Sequence, residues 1–311
     1  MFEIKRYSVE QKNAWDVFVE NSINGTFLFK RDYMEYHSER FQDNSLMIYR
    51  KGMLYALLPA NRAGNVLYSH QGLTYGGFIL SSKATVLEIL DVFEHVNNFL
   101  KSEGVREVIY KAMPHIYQLM PAQEDLYALF RCGAELIGRN ISSTIYQRNK
   151  IKFVESRKSG IRKAINNSLI VKESLDFEAF WKILDDNLIN KYGIKPVHSI
   201  QEIEYLHNKF PENIKLYLVS KEGIPLGGTV VYITKQVLHT QYISSNLAGK
   251  KFGALDLLFD KLINEIYCKI PIFDFGQSTE QYGNILNDAL IFQKEGFGGR
   301  GIMYDIYKYN V

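Results

Sequence analysis

Four short sequence patterns recur between the two halves of the chain, and they constrain its fold more than any other feature of the 311 residues. Trp15 lies 166 residues before Trp181, and an Ile-Tyr-x-x-Asn pattern that ends at Asn149 ends again 161 residues later at Asn310. The other two matches are Asp91–His95 with Asp256–Asp260 and Ala128–Phe130 with Ala289–Phe292. Because all four follow the same order, they indicate an internal duplication. The repeat predicts two domains of similar size, residues 1–150 and 151–311.

The composition fits a folded protein whose overall charge is close to neutral. Hydrophobic residues make up 46% of the chain and charged residues 23%, which is enough apolar material for a buried core. Lys and Arg outnumber Asp and Glu by 37 to 34, which gives a net charge of +3. That excess is too small for binding duplex DNA or an anionic membrane through overall charge. Any basic binding surface must therefore be local.

Targeting segments, disulfide bonds and metal sites are not expected from this sequence. The first 18 residues lack the apolar run and cleavage site of a signal peptide. No stretch has the roughly 20 apolar residues that a transmembrane helix needs. Cys132 and Cys268 are the only cysteines, which excludes a disulfide scaffold, and no Cys/His spacing is typical of zinc sites. We expect a cytoplasmic, reduced protein without metal.

Hydrophobic periodicity predicts the same order of helices and strands in both halves. Thr85–Lys101 in the first half and Phe177–Tyr192 in the second carry apolar residues at i, i+3 and i+4, which is typical of amphipathic helices. Lys221–Gly223 is predicted as the turn of a β-hairpin. The other predicted helices are Gln11–Ser22, Asp32–Phe41, Asp125–Gly133, Ile200–Phe210, Ala254–Tyr267 and Leu286–Glu295. Strands predicted between them include Val66–Ser69, Val105–Lys111, Ile141–Gln147, Val237–Ser244, Ile270–Phe275 and Gly301–Tyr309.

This order of elements resembles the GNAT-type N-acyltransferase fold. Two such units in tandem resemble the Fem-type transferases, which add amino acids to peptidoglycan precursors. The resemblance extends from Trp15 to Tyr309, and its most specific parts are the C-terminal run Phe273–Tyr309 and the basic helix Ser156–Asn167. It implies an α/β fold, more specifically an α+β arrangement with a mixed sheet. This fold would occur twice, as two tandem GNAT-like acyltransferase domains.

The resemblance also implies a binding site for the acyl donor in the second domain. In GNAT-type proteins the carrier binds where a middle strand diverges from its neighbour, and its pyrophosphate contacts N–H groups at the start of the next helix. The family pattern has Gln or Arg, then Gly three residues later and Gly or Ala two further on, whereas this chain has Lys250, Gly253 and Leu255. A solvated loop before a helix is the alternative. The residues expected to bind acyl-CoA are Ser244, Ser245, Lys250, Lys251, Gly253 and Ala254.

The matching segment of the first domain carries no basic residue between Gly72 and Gly77, and the next one is Lys83. We therefore expect the first domain to be degenerate for phosphate and to form the acceptor side. His70 and Tyr75 lie at the corresponding position, and we expect them to shape an acceptor pocket between the domains.

Amide-forming acyl transfer needs a base that deprotonates the amine and donors that stabilise the tetrahedral oxyanion. His239 lies on the strand expected to diverge, and a neutral imidazole can act as the base near pH 7. Asp274 is an acid inside an apolar run, and Glu280 follows in the polar loop. These three are the candidate catalytic residues; a structural histidine and an ordinary polar loop are the alternatives. The loop also contains Gln277 and Ser278, which we expect to bind substrate.

Basic residues are concentrated where the two domains join. The run Arg148–Lys163 holds seven basic residues and one acid, Glu155. Helical spacing places Lys158 and Arg162 on one face, where they would bind a phosphorylated substrate, a nucleotide sugar, a lipid pyrophosphate or a tRNA acceptor end. A solvated charged face is the alternative.

Together these features predict an acyltransferase that moves an acyl or aminoacyl group from acyl-CoA or aminoacyl-tRNA to an amine of a cell-wall precursor or amino sugar. Two alternatives stay open: a Fem-type enzyme that depends on aminoacyl-tRNA, and a non-catalytic binding module that retains the fold. The sequence has no Gly-x-Ser-x-Gly elbow and no Walker loop. The glycine-rich turn Gly296–Gly301 follows a predicted helix and precedes a strand, the reverse of a dinucleotide-binding fingerprint.

Overall fold

A computed structural model of the protein describes residues 2–311, and it divides into two compact units. Unit 1 takes in the residues up to 141 together with Thr279–Leu286 and Met303–Val311. Unit 2 consists of Ser142–Ser278 and Asn287–Ile302. Each unit therefore includes segments from both halves of the chain.

Unit 1 contains two sheets. One has the strand order β1-β2-β3-β6. In the other, the order is β4, β5, β7 and then the end of β16 (Arg300–Asn310), the last strand of the chain. The strands are β1 (Phe2–Arg6), β2 (Leu46–Arg50), β3 (Met53–Leu58), β4 (Asn61–Ala63), β5 (Val66–Tyr68), β6 (Ile79–Leu80) and β7 (Glu107–Lys111). The helices are α1 (Lys12–Asn21), α2 (Arg31–Met34), α3 (Val86–Ser102) and α4 (Glu124–Arg131). The core forms because the apolar stripe of α3, including Ile89, Phe93 and Val96, packs with buried strand residues.

Unit 2 is built on strands in the order β8-β13-β12-β11-β10-β9. They are β8 (Glu135–Tyr146), β9 (Ile170–Ser174), β10 (Ile214–Lys221), β11 (Ile224–Ile233), β12 (Val237–Ser245) and β13 (Ile272–Gln277). The helices are α5 (Glu155–Asn166), α6 (Phe177–Tyr192), α7 (Ile200–Lys209), α8 (Leu247–Phe252), α9 (Ala254–Lys261) and α10 (Asp288–Gly296). One turn of π-helix, Leu262–Ile266, extends α9. The core joins α9 residues such as Leu258 to buried strand residues such as Val231 and Phe273.

Two long strands contribute residues to both units. Within unit 2, the Ser142–Tyr146 part of β8 pairs with β13, so that Ile145 lies opposite Phe273. Within unit 1, the end of β16 (Arg300–Asn310) pairs with β7, so that Ile306 lies opposite Lys111. The short strands β14 (Thr279–Glu280) and β15 (Ile285–Leu286) pair with each other in unit 1.

Most predicted helices and strands are confirmed, and two segments differ. The helix predicted over Asp32–Phe41 is confined to α2, because the aromatic rings of His37 and Phe41 pack against His70 and the chain turns there. The segment between the predicted strand Val237–Ser244 and the predicted helix Ala254–Tyr267, for which a solvated loop was the alternative, contains the short helix α8, capped by Asn246. None of the described helices is both long and apolar enough to cross a lipid bilayer.

Gly253 permits the sharp junction between α8 and α9. Its φ is 76°, a left-handed conformation, and a Cβ there would lie 2.4 Å from the carbonyl oxygen of Gly160 in α5. Gly223 in the β10–β11 turn has a similar φ of 80° but no atom within 4 Å of such a Cβ. We expect either alanine substitution to add strain of about 1–2 kcal/mol, and Gly253→Ala to cost about 1–3 kcal/mol more through overpacking. Urea unfolding of both variants measures the difference; equal losses would contradict the close approach at Gly160.

Candidate active site at a diverging strand pair

The strands β12 and β13 run in parallel for three residue pairs and then separate. The pairs are Val237 with Ile272, Leu238 with Phe273, and His239 with Asp274. Beyond them β12 stays paired with β11 as far as Ser245. A register shift in that pairing leaves Gln241 as an extra residue, and such a bulge bends the strand. The divergence predicted for the strand beginning at Val237 is confirmed, and it begins directly after His239.

The last pair before the divergence brings an imidazole and a carboxylate together. Nδ1 of His239 lies 2.8 Å from Oδ2 of Asp274. Asp274 is completely buried and His239 is 8% exposed. A carboxylate can only accept hydrogen bonds, so Nδ1 carries the proton and Nε2 of the neutral ring holds the lone pair. This arrangement prepares Nε2 to accept a proton.

Two further donors hold the carboxylate of Asp274. The hydroxyl of Ser142 on β8 and the backbone N–H of Gly276 both donate to Oδ1, the latter over 3.2 Å. Gly276 reaches this position because its φ is 74°, and a Cβ there would lie 3.1 Å from Cε1 of His239. The glycine thus lets the end of β13 curl beneath the imidazole ring.

Lys294 on α10 contacts the same end of β13. Its ammonium group donates to the carbonyl oxygens of Gly276 over 2.8 Å and Gln277 over 2.9 Å, and to the hydroxyl of Ser278 over 2.9 Å. Burial lowers the pKa of Lys294 to about 8, against the opposing effect of the negative charge on Asp274. Sequence reasoning missed this residue; the one available signal was a charge on the inward face of α10.

The predicted loop residues separate into two groups. Gln277 and Ser278 lie in unit 2 and contact Lys294. Glu280 is exposed and lies in β14, which belongs to unit 1. Unit 2 therefore brings together His239, Asp274, Gln277 and Ser278, while a role for Glu280 stays a prediction.

Three of the six residues predicted to bind the donor, Ser244, Ser245 and Lys250, contact Asn187, which sequence reasoning also missed. The side-chain amide of Asn187 on α6 donates to Oγ of Ser244 over 2.7 Å and to the carbonyl oxygen of Ser245 over 2.9 Å. It accepts from Nζ of Lys250 over 3.4 Å. Asn187 also lines a cavity of about 480 Å³ beside Leu247. One side chain from α6 thus connects these three residues, and their role in binding a donor stays a prediction.

The N-terminus of α8 is capped by Asn246, and the pyrophosphate site that the resemblance implies there stays a prediction. The side chain of Asn246 already accepts the N–H of Gly249 over 2.8 Å, and the carbonyl oxygen of Asn246 accepts the N–H of Lys250 over 2.9 Å. Lys251 lies near the ring of Phe252 at the C-terminal end of α8. Gly253 and Ala254 form the junction to α9. The helix end is therefore capped from within the chain.

The basic face of α5 is partly neutralised. Arg162 forms a 2.5 Å ion pair with Glu155, and Lys158 lies 3.9 Å from the same carboxylate. Both basic side chains are exposed. Exposed pairs of this kind contribute little to stability, but they reduce the charge available to a phosphate.

Unit 1 repeats the diverging strands without the acid–base pair. There β5 and β7 also run in parallel for three residue pairs, the last being Tyr68 with Ile109. His70 follows in a left-handed conformation with φ of 73°, and burial lowers its pKa to about 3. The hydroxyl of Tyr75 lies 3.1 Å from that of Thr26. The structure thus places His70 and Tyr75 in one loop of unit 1, and their role in acceptor binding stays a prediction.

Several solved structures share this fold at low sequence identity. The structure of FemX superimposes with a TM-score of 0.71 and 12% identity, covering 99% of this chain and 97% of that one. L-PGS from Bacillus licheniformis has a TM-score of 0.61 and 12% identity, covering 98% and 92%. The tandem GNAT protein from the clavulanic acid biosynthesis pathway, in its form without AcCoA, has a TM-score of 0.52 and 11% identity, covering 100% and 98%.

No protein-family model matches the sequence, and no curated protein matches it significantly. At identities of 11–12%, the structural similarities establish the fold alone. They extend over nearly the whole chain, and the diverging parallel pair occurs once in each unit. The chain therefore has the predicted fold, an α/β architecture of two tandem GNAT-like domains that FemX also adopts.

Proposed function

We propose that this protein is a transferase that moves an acyl or aminoacyl group from an activated ester or thioester to an amine, with His239 as the general base. One observation carries the proposal: His239 and Asp274 form a buried hydrogen-bonded pair where β12 and β13 diverge. Ligands of open α/β sheets bind at the carboxyl ends of strands, where neighbouring strands or their connections separate. The acid–base pair therefore lies where a substrate can reach it.

The geometry favours a simple proton transfer. Nε2 of His239 takes a proton from the attacking amine, and the carboxylate of Asp274 stabilises the imidazolium that forms. The amine nitrogen bonds to the acyl carbon, and the bond from that carbon to the leaving sulfur or oxygen breaks. The proton on Nε2 then passes to the leaving group, which regenerates the neutral ring. Atoms and charge balance without any further reactant.

The separated edges of β12 and β13 suit an extended substrate. After the pair His239 and Asp274, the two strands no longer bond to each other. A strand edge binds extended chains through main-chain hydrogen bonds. An amide-containing arm of a thioester carrier, or the peptide of a cell-wall precursor, has the donors and acceptors for this. We propose an amine of a cell-wall precursor or of an amino sugar as the acceptor, supported by the resemblance to Fem-type transferases and by the fold shared with FemX.

One observation favours an aminoacyl-tRNA ester over acyl-CoA as donor. The N–H groups of Gly249 and Lys250 are bonded to Asn246, and Leu255 stands where the coenzyme A pattern has Gly or Ala. The bond of Lys250 is an ordinary helix bond, but the N–H of Gly249 could reach a pyrophosphate only by leaving the side chain of Asn246. The ester of a tRNA acceptor end needs no pyrophosphate site, so we propose it as the second candidate donor.

A donor screen tests the proposal. The purified protein is incubated with radiolabelled acetyl-CoA, or with a mixture of radiolabelled aminoacyl-tRNAs, and with either a lysine-containing peptidoglycan precursor or an amino sugar as acceptor. We expect the parent protein to give an acid-stable amide product with one of the donors. Under the same conditions, His239→Gln should give no detectable product. Melting temperatures with acetyl-CoA, coenzyme A and nucleotide sugars provide a parallel measure, because a ligand that binds only the folded state raises them. If no donor gives an amide while one of these ligands still raises the melting temperature, the binding-module alternative replaces the transferase.

A further inference from the structure

Lys294 is a buried cation whose hydrogen bonds all go to the segment that follows Asp274. Its side chain is on α10, the residue is 3% exposed, and its nitrogen contacts Gly276, Gln277 and Ser278. An ammonium group has three N–H donors, and these three acceptors use all of them. The three acceptors therefore match the three N–H donors of the protonated side chain.

Burying a lysine is costly, so its presence calls for a compensating contact. Burial lowers the pKa of Lys294 to about 8, and the carboxylate of Asp274 acts in the opposite direction. The group thus remains mainly protonated at neutral pH. An apolar side chain of similar length would remove the cost of the charge but leave the carbonyl oxygens of Gly276 and Gln277 without this donor.

Gly276 connects Lys294 to the acid–base pair. Its carbonyl oxygen accepts from Lys294 over 2.8 Å, while its N–H donates to Oδ1 of Asp274 over 3.2 Å. Both contacts need the left-handed conformation of Gly276, and that conformation brings the residue close to the ring of His239. A change at Lys294 would therefore act on Gly276, which lies two residues after Asp274 and donates to its carboxylate.

We infer that Lys294 is a positioning residue, which holds Gly276 and Gln277 so that Asp274 keeps the orientation that binds Nδ1 of His239. Its catalytic meaning rests on the proposed function, but the positioning itself does not. A lysine that only fills space between α10 and β13 would affect stability and leave the contact of His239 with Asp274 unchanged.

The test is NMR spectroscopy of Lys294→Met, without substrate. In the parent protein, the Nδ1–H proton of His239 should give a downfield resonance that is protected from exchange with water. In the variant we expect this resonance to be lost, and the amide of Gly276 to exchange at least about tenfold faster. The indole N–H groups of Trp15 and Trp181 serve as internal controls, because each is bonded to a backbone carbonyl elsewhere, at 2.7 and 3.2 Å. Their resonances should not move.

Lys172→Met removes an exposed lysine of the same unit, on β9, and provides the matched control, which should retain every signal. Should Lys294→Met fail to fold, Lys294→Gln keeps an amide donor and is expected to show a smaller change in the same two signals. A folded variant at Lys294 with an intact His239 resonance and unchanged exchange at Gly276 would overturn the inference. Because neither signal requires a donor or an acceptor, this outcome is separate from failure of the donor screen.

Discussion

Replacing His239 by glutamine is expected to slow amide formation by about 10²–10⁴-fold, the range that a positioned general base contributes. Glutamine can still donate a hydrogen bond to Asp274, but it has no nitrogen basic enough to take the proton of an amine. The fold should persist, because the substitution keeps a buried polar side chain of similar size. The initial rate of amide formation, with the donor that the screen identifies, measures the effect.

His207→Gln is the matched control for this substitution. His207 lies in the same unit, and its Nδ1 contacts the carbonyl oxygen of Ile214 over 2.7 Å rather than a carboxylate. We expect its rate to stay within about threefold of the parent, as for a substitution away from the reacting groups. If His239→Gln transferred as fast as this control, the base would have to be a different group.

The sequence identified both members of the acid–base pair but not their contact. Asp274 is a candidate because it is a charged residue within an apolar run, and His239 because it is a histidine on a predicted strand. Their pairing depends on the register of two parallel strands, which places Val237 opposite Ile272. A shift of one residue would move His239 to the opposite face of the sheet. Because the paired parts of β12 and β13 are buried on both faces, their apolar residues do not reveal which register is used.

Lys294 and Asn187 were missed because their roles depend on tertiary contacts. On α10 and α6 they read as ordinary polar helix residues. Only packing shows that the first is buried against the end of β13 and that the second bonds Ser244 at the end of β12. A polar residue on the inward face of a helix is the available signal, and it identifies the residue without its partner.

The sequence also does not reveal that β8 and β16 contribute residues to both units, for a different reason. The Ile-Tyr-x-x-Asn pattern begins in both strands, at Ile145 near the end of β8 and at Ile306 in β16. Either strand satisfies the same apolar alternation at the edge of either unit. The repeat that indicates the duplication therefore cannot say that Ile145 pairs in unit 2 and Ile306 in unit 1.

The two units have kept one feature in common and differ in another. In unit 1, Lys111 donates to the carbonyl oxygens of Gln71 and Leu73 over 2.9 and 2.8 Å, and burial lowers its pKa to about 8. In each unit, a lysine thus donates to two backbone carbonyl oxygens next to the parallel strand pair. At the positions of His239 and Asp274, however, unit 1 has Tyr68 and Ile109. Of these two matching residue pairs, only the one in unit 2 places a histidine opposite a carboxylate.

Replacing Asp274 by asparagine is the second change expected to have a large effect, because it reverses the tautomer of His239. The N–H of Gly276 is a donor at Oδ1, so the amide oxygen of the asparagine must face it and the amide nitrogen must face the imidazole. Nδ1 then accepts a hydrogen bond, and the proton of the neutral ring moves to Nε2. Without a lone pair at Nε2, the rate should again fall by about 10²–10⁴-fold.

Nitrogen-15 chemical shifts of His239 report this reversal directly: we expect the protonated nitrogen to change from Nδ1 to Nε2. Asp256→Asn is the control, since Asp256 is a partly buried carboxylate of the same unit that pairs with Arg157 over 2.8 Å and does not contact His239. The double variant at His239 and Asp274 should be no slower than His239→Gln, because the two side chains act as one unit. Losses that multiply in the double variant would instead mean that Asp274 acts independently of the imidazole, and its proposed role in stabilising the imidazolium would have to be abandoned.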